Sequence, residues 1–252
     1  MEADTRSIWL EGESDKAVLL IHGLAGTSFE VRGLAEHLHQ EGLTVYAPTL
    51  SFHESRDLKD LEKSNIDIWK QDAENAYAKL SKYQKVFVGG ISNGGSLACY
   101  LAITQKPDGV ITICPPIIPG FSIFRYMDHE KVFQWLSRRF RYLPRFDYQM
   151  VRDWTIAKDL PRFKKLPSHI TYHGIVLARY VRENLSKITA PILVVQAKYD
   201  NRVDPQGAEK ILEAVSSEVK EIYYAENSGH VVVLDVDREA VFKVSADFIR
   251  KL

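Results

Sequence analysis

Val86-Phe87-Val88-Gly89-Gly90-Ile91-Ser92-Asn93-Gly94-Gly95 decides the fold of this chain. An apolar, β-branched run ends in Gly90-Ile91-Ser92-Asn93-Gly94, the G-x-S-x-G pattern in which a sharp strand-to-helix turn presents a serine. Such a turn dictates its own glycines. It forces the serine into a strained backbone conformation, and side chains beside it would collide where strand and helix cross closely. Ser96-Leu97-Ala98-Cys99-Tyr100-Leu101-Ala102-Ile103 follows as a buried helix, so the pattern stands in the strand–turn–helix context it needs. The stretch also argues against a dinucleotide site, because Gly89 to Gly94 lacks the G-x-G-x-x-G spacing.

Outward from the elbow, apolar strand-like runs alternate with helical patterns. Residues 17–21 predict a buried strand, and Phe29, Val31, Leu34, Ala35 and Leu38 mark one face of a helix after it. Residues 43–47 predict a second strand, and 66–80 a helix with Ile66, Trp69, Ala73, Ala76 and Leu80 inward. Strands are expected at 85–91, 109–114, 191–196 and 220–224, and a last helix at 237–251, opened by Asp237 and Glu239 and closed by Arg250 and Lys251. Alternation of this kind means an α/β chain with a mostly parallel sheet and helices on both faces.

The alternation stops between Pro115 and about Ser186, where prolines at 116, 119, 144, 161 and 167 punctuate the chain. Residues 121–185 hold 13 Lys and Arg against 6 Asp and Glu, and 13 of the chain's 27 aromatics. A basic, aromatic segment between two core strands reads as a cap, dividing the chain into core 1–115, inserted cap 116–186 and core 187–252. Its charge by itself is also what an ordinary solvated helical face would carry.

With 33 basic and 33 acidic side chains the formal net charge is zero, which argues against nucleic acid as the main partner. Cys99 and Cys114 lie in apolar runs and read as buried free thiols. The first residues, Met1 to Arg6, carry acids and no apolar core of a signal peptide, and no run approaches the ~20 apolar residues of a membrane span. The expectation is a soluble, cytoplasmic protein with no cofactor and no metal.

A serine hydroxyl needs a base to become a nucleophile. His37 and His39 fall on the outer side of a helix, and His53 and His129 in polar surroundings. His169 and His173 have i, i+4 spacing, but Ile170 stands where an H-E-x-x-H motif needs Glu. His230, in Glu226-Asn227-Ser228-Gly229-His230, sits just past a strand, at the sheet edge where open α/β sheets bind ligands. Its carboxylate partner is Asp200 or Asp204. Asp204 precedes Pro205 and is explained as a helix cap, which leaves Asp200. The tetrahedral intermediate also needs oxyanion donors, for which the N–H groups of Asn93 and of Leu24, in Ile21-His22-Gly23-Leu24-Ala25-Gly26, are the candidates. His22 would brace that turn, and Gly23 and Gly26 would let the backbone approach a substrate.

With these residues placed, the chain resembles the compact carboxylesterases and monoacylglycerol lipases of bacterial type in the α/β-hydrolase superfamily. The resemblance rests on Ala17 to Gly26, the elbow, Cys114-Pro115-Pro116, Val194 to Asp200 and Asn227 to Asp235, and it spans nearly the whole chain. It implies an α/β-hydrolase fold, a Ser92–Asp200–His230 triad, an oxyanion hole at Leu24 and Asn93, and hydrolysis of short- to medium-chain acyl esters. Cap aromatics, for which Phe121, Phe124 and Trp154 are named, would wall the acyl pocket. A small-molecule ester is then the partner, with weak membrane-surface contact through the basic cap as a further expectation. Alternatives are a monoacylglycerol lipase, a thioester or amide hydrolase, and a non-catalytic binding protein on the same scaffold. Two departures from the family pattern stand out: polar Asn93, at a position commonly apolar in these relatives, and the basic, aromatic cap.

Overall fold

The computed structural model describes residues 4–118, 128–145, 150–153, 155 and 163–252. Among these, seven strands form one sheet: β1 (Ile8–Leu10), β2 (Lys16–Ile21), β3 (Thr44–Ala47), β4 (Lys85–Ile91), β5 (Gly109–Ile113), β8 (Ile192–Ala197) and β9 (Lys220–Ala225), in the order β1-β3-β2-β4-β5-β8-β9. The intervening numbers belong to β6 (Tyr142–Pro144) and β7 (Lys165–Pro167), an antiparallel pair apart from the main sheet. Every pairing in the main sheet is parallel except β1 with β3, which is antiparallel. This is the α/β-hydrolase fold. Three-residue β1 has no run long enough to read from periodicity, and the sequence did not reveal it.

The inner strands β2 to β5 and β8 are buried on both faces, so their residues sort by parity. Ala17, Leu19 and Ile21, with Val86 and Val88, join one core layer, packed by α3 (Ile66–Ala78), α4 (Asn93–Thr104) and α6 (Ser168–Asn184). Val18, Leu20, Phe87 and Ile91 join the other, packed by α1 (Arg32–Gln40) and the C-terminal α8 (Arg238–Lys251). Helix positions follow the same logic: Trp69, Ala73 and Ala76 are the buried residues of α3, one stripe at helical spacing. Asn65 caps α3 by accepting from the Asp67 and Ile68 N–H groups at 3.0 and 3.1 Å. Phe29 and Val31 fall not in α1 but in a 3₁₀ turn, Ser28–Val31, that leads into it. Other helices are α2 (Leu58–Leu61), α5 (His129–Arg139) and α7 (Gly207–Ala214).

Register brings the carboxyl ends of the strands level. Ile21 lies opposite Gly90, Ile91 opposite Ile113, and Ala197 opposite Ala225. The chain leaves β2 toward β3 and leaves β4 in the other direction, toward β5, so a crevice opens above the adjacent ends of β2 and β4. The segment between β5 and β8 supplies α5, β6, β7 and α6. Its longest piece, α6, runs unbroken for 17 residues because Pro167 stands just before it, where no N–H is needed.

Two outer histidines are not simply solvated. His37 and His39 are half-buried, and the His37 ring lies 5.8 Å from that of Phe242. The apolar stripe of α8 crosses α1 here and covers part of the face that the helical pattern left outside.

Close approach of α4 to β2 has no slack. A Cβ on Gly94 would lie 2.1 Å from the Ile21 carbonyl oxygen and 2.5 Å from that of His22. Gly94→Ala is expected to lower the urea-unfolding free energy by about 1–3 kcal/mol. An unchanged midpoint and slope would show that α4 has room to shift.

Candidate active site

Ser92 is the residue between β4 and α4, with φ 54° and ψ −119°. A left-handed serine costs about 1–3 kcal/mol of strain and persists only if its surroundings hold it. They do so through the backbone: its N–H donates to the Ile113 carbonyl at 2.7 Å, and its carbonyl accepts from the Ser96 N–H at 3.1 Å. The turn lifts the hydroxyl off the sheet's edge and toward the loop that follows β9.

That loop delivers His230, 3% exposed, with Nε2 2.9 Å from Ser92 Oγ and Nδ1 2.8 Å from Asp200 Oδ2. An ionised carboxylate can only accept, so the Asp200 contact puts the proton on Nδ1 and leaves Nε2 to accept from the serine hydroxyl. Asp200 Oδ1 in turn accepts from the N–H groups of Arg202 and Val203 at 2.8 and 3.0 Å. Burial pushes the Asp200 carboxyl up. The His230 imidazole and the two backbone donors outweigh burial and hold it below the usual carboxylate range. Asp204 stands elsewhere. Its carboxylate accepts from the Gln206 N–H at 3.0 Å, capping the turn that leads into α7, as the Asp-Pro pair suggests, although the helix begins only at Gly207.

The His230 loop is pinned by a residue whose role the sequence did not disclose. Asp235, fully buried, accepts from the N–H groups of Gly229, Arg152, Asp153 and Val236 at 2.7 to 2.9 Å. One carboxylate thus ties the histidine loop to the 150–153 segment. A lone acid closing the apolar run Val231 to Leu234 is the sequence signal for it. Asp237 does not cap α8 with its side chain but accepts from Asn227 and Ser228, and so fixes the start of the same loop.

The turn after β2 faces Ser92. His22, buried, accepts the Leu50 N–H at Nε2 (3.0 Å), which leaves Nδ1 to donate to the Gly23 carbonyl at 2.8 Å. Burial, with help from the neighbouring His53, brings its pKa down to about 3, so it is a neutral brace and not a base. His53 has polar neighbours, as expected, but is not a solvent-facing loop residue: it is 2% exposed, with Nδ1 2.9 Å from the Ser51 carbonyl and its ring 5.2 Å from that of His22. The Gly23 N–H donates to Glu30 Oε2 at 2.8 Å. Glu30 also explains Gly26, where a Cβ would lie 2.4 to 2.5 Å from the carboxylate atoms; that space serves a side chain of the protein, not a substrate. Burial pushes the Glu30 carboxyl up, against the lowering effects of the Gly23 N–H, Arg145, His230 and Arg56.

Asn93 opens α4, so its N–H is among the helix's first, without an intrahelical partner and at the positive end of the dipole. Its side chain, 4% exposed, turns toward α6: a Cβ on Gly174 would lie 3.4 Å from Asn93 Oδ1 and 3.7 Å from Leu24 Cδ2. Among the described residues Oδ1 accepts no hydrogen bond. Cys114 Sγ accepts from the Ala197 N–H at 3.4 Å, beneath the Asp200–His230 pair. Burial holds its thiol well above the ordinary range, and both neighbours are committed to each other, so the trio suits packing better than metal ligation. His169 and His173 share α6, rings 5.7 Å apart.

A cavity of about 930 Å³ opens over Ser92 and His230. Leu24, Phe133, Leu136, Leu143, Leu166 and Ile175 are among its apolar walls, and Arg145, Arg182 and Arg202 among its charged ones. The expected pocket residues Phe121, Phe124 and Trp154 lie outside the described residues.

Known proteins share this architecture. The family model described as serine aminopeptidase, S33, matches residues 12–237. The chain is 28% identical to a carboxylesterase of Bacillus subtilis (strain 168) over 94% of each chain. It is 31% identical to a thermostable monoacylglycerol lipase of Bacillus sp. (strain H-257), over 93% of this chain and 90% of the relative. A solved structure from work on LipS and LipT, two metagenome-derived lipolytic enzymes, superposes with a TM-score of 0.89 at 24% identity and covers 100% of both chains.

Two carboxyls of the site, Asp200 and Glu30, pull stability in opposite directions with pH. Asp200, held low, contributes stability that is present above the ordinary carboxylate pKa and lost as pH falls through its native value. Glu30, pushed up, binds its proton more tightly in the folded chain, so stability declines as pH rises through its native value. Glu30→Gln removes that decline. The Tm of the variant minus that of wild type is expected to rise between about pH 4 and about pH 7 by calorimetry; a flat difference would show a carboxyl with water-like titration.

Proposed function

We propose a serine carboxylesterase, on the premise that the chain belongs to the α/β-hydrolase family described as serine aminopeptidase, S33. The observation that carries the reading is the continuous hydrogen-bonded line Ser92 Oγ–His230 Nε2, His230 Nδ1–Asp200 Oδ2 at 2.9 and 2.8 Å. Ester over peptide is supported by the carboxylesterase and monoacylglycerol lipase relatives and by the apolar cavity walls. The partner is a small ester of short to medium acyl chain, held under residues 116–186 acting as a cap.

Ser92 Oγ attacks the ester carbonyl carbon while His230 Nε2 takes the hydroxyl proton. The carbonyl oxygen becomes an oxyanion, met by the N–H groups of Leu24 and Asn93. Asp200 stabilises the imidazolium and keeps its ring in register. When the tetrahedral intermediate collapses, the alcohol leaves with the proton from His230, and Ser92 stays acylated. Water then adds to the acyl carbon, giving its proton to His230, and collapse returns that proton to Ser92 and releases the carboxylic acid.

His22 serves the oxyanion indirectly. The peptide unit is planar and trans, so holding the Gly23 carbonyl also sets the opposite direction of the Leu24 N–H.

Ser92→Ala is expected to abolish fluorophosphonate labelling and to lower p-nitrophenyl butyrate turnover by on the order of 10⁵-fold or more, with an unchanged melting transition. Labelling that persists in the variant would remove Ser92 from the nucleophile's role.

A second reading, lipase action at a lipid surface, is favoured by one patch. Trp135 and Phe140, 60% and 48% exposed, lie edge to face on and just after α5, next to Arg138 and Arg139. Aromatic rings beside cations suit an anionic interface. Turnover of a monoacylglycerol in anionic vesicles is expected to exceed that in neutral ones about tenfold at low salt, and Trp135→Ser to erase most of the difference. Equal rates on both vesicles would return the patch to plain solvent exposure.

A further inference from the structure

Glu30 is a half-buried carboxyl residue lining the candidate site that the chemistry above does not use. It lies on the 3₁₀ turn after Gly26, lines the cavity with Ser92, Gly23 and His230, and spends Oε2 on the Gly23 N–H at 2.8 Å. Gly26 is left without a side chain where the carboxylate packs. Positive charge comes to it from Arg56 and from Arg145, the latter in the 116–186 segment. A carboxyl so placed costs desolvation free energy.

Its effect falls on one glycine. Gly23 has the freest φ and ψ of any residue type, yet it sits immediately before the Leu24 N–H that the oxyanion would need. Glu30 holds the peptide on its amino side through the Gly23 N–H. His22 Nδ1 holds the peptide on its carboxyl side through the Gly23 carbonyl. The Gly26 N–H donates to that same carbonyl at 3.0 Å, closing the turn on itself. With both flanking peptides fixed, neither dihedral of Gly23 can turn without breaking a hydrogen bond. Occupying the Gly23 N–H also decides which amide is offered to the substrate.

We propose that Glu30 is a positioning residue for the oxyanion hole, fixing Gly23 from the amino side so that the Leu24 N–H points at the reacting carbonyl oxygen before substrate arrives. A preset donor stabilises the transition state without reorganising, so the effect belongs in the chemical step and not in substrate binding.

The inference rests on the serine-hydrolase reading, and the test separates the two. Fluorophosphonate inactivation is the first readout, because it builds negative charge on a phosphoryl oxygen at the same donors and does not depend on which acyl group is natural. Steady-state hydrolysis of p-nitrophenyl butyrate is the second. Glu30→Ala and Glu30→Met, the latter keeping length without an acceptor, are expected to lower the inactivation rate and kcat on the order of 10- to 100-fold, with KM within about twofold. Glu30→Gln, which keeps an acceptor for the Gly23 N–H, is expected to stay within about fivefold of wild type. Melting transitions identify variants that fold. Folded Ala or Met variants at wild-type rates, a loss confined to KM, or an equal loss in Glu30→Gln would each overturn the role assigned to Glu30 while leaving Ser92 labelled. Wild-type protein that takes no label would instead overturn the serine-hydrolase reading itself.

Discussion

Backbone meets backbone where α4 crosses the end of β2, and the rest of the centre is built on that contact. Gly90 and Gly94 have no side chains because there is no space for them: a Cβ on Gly90 would lie 2.3 Å from the Gly94 carbonyl oxygen, and one on Gly94 closer still to Ile21. This contact brings the first turn of α4 beside the turn after β2. It thereby sets Ser92, the Asn93 N–H and the Gly23–Leu24 peptide around one point. The left-handed backbone of Ser92 is the local cost of making strand and helix meet so tightly. Any residue with a side chain at Gly94 would push apart the elements that aim nucleophile and oxyanion donors together.

Two carboxyls near that point are driven in opposite directions by their surroundings. Asp200 has two backbone donors and an imidazole, enough to outweigh burial and keep it ionised. Glu30 has one backbone donor and more distant cations, and burial wins. Number and closeness of donors decide the outcome, not residue type. The result is one acid suited to holding a charged histidine and another suited to holding a turn.

Much of this was legible in the sequence because it is encoded in periodicity and in short motifs. The elbow, the strands at 85–91 and 220–224 and the inward stripe of α3 all come from local pattern. Asp200 could be separated from Asp204 because Pro205 gave the latter a structural role. Other features depend on what lies across the fold. Glu30 reads locally as a surface acid on an amphipathic turn; only the turn after β2, folded against it, makes it a partner of Gly23. His53 reads as a loop histidine until it is packed against His22. Asp235 closes an apolar run, and two of its four N–H partners, Arg152 and Asp153, lie more than eighty residues from it in sequence. Asn93 is visible as an oddity in a motif, but the α6 glycine it faces is not.

The level ends of the strands have a consequence for how the chain reaches its working form. Ser92, Asp200 and His230 meet because β4, β8 and β9 finish at one height, yet Ser92 and His230 stand 138 residues apart in sequence. The pairings of β4 with β5, β5 with β8 and β8 with β9 are all parallel and need crossovers, so the loop-closure entropy of the chain between them is spent before serine and histidine come within reach. No fragment that ends before β9 can contain the centre. A chain emerging amino end first can lay down the elbow early, but it acquires its base only when the last strand is added to the edge of the sheet.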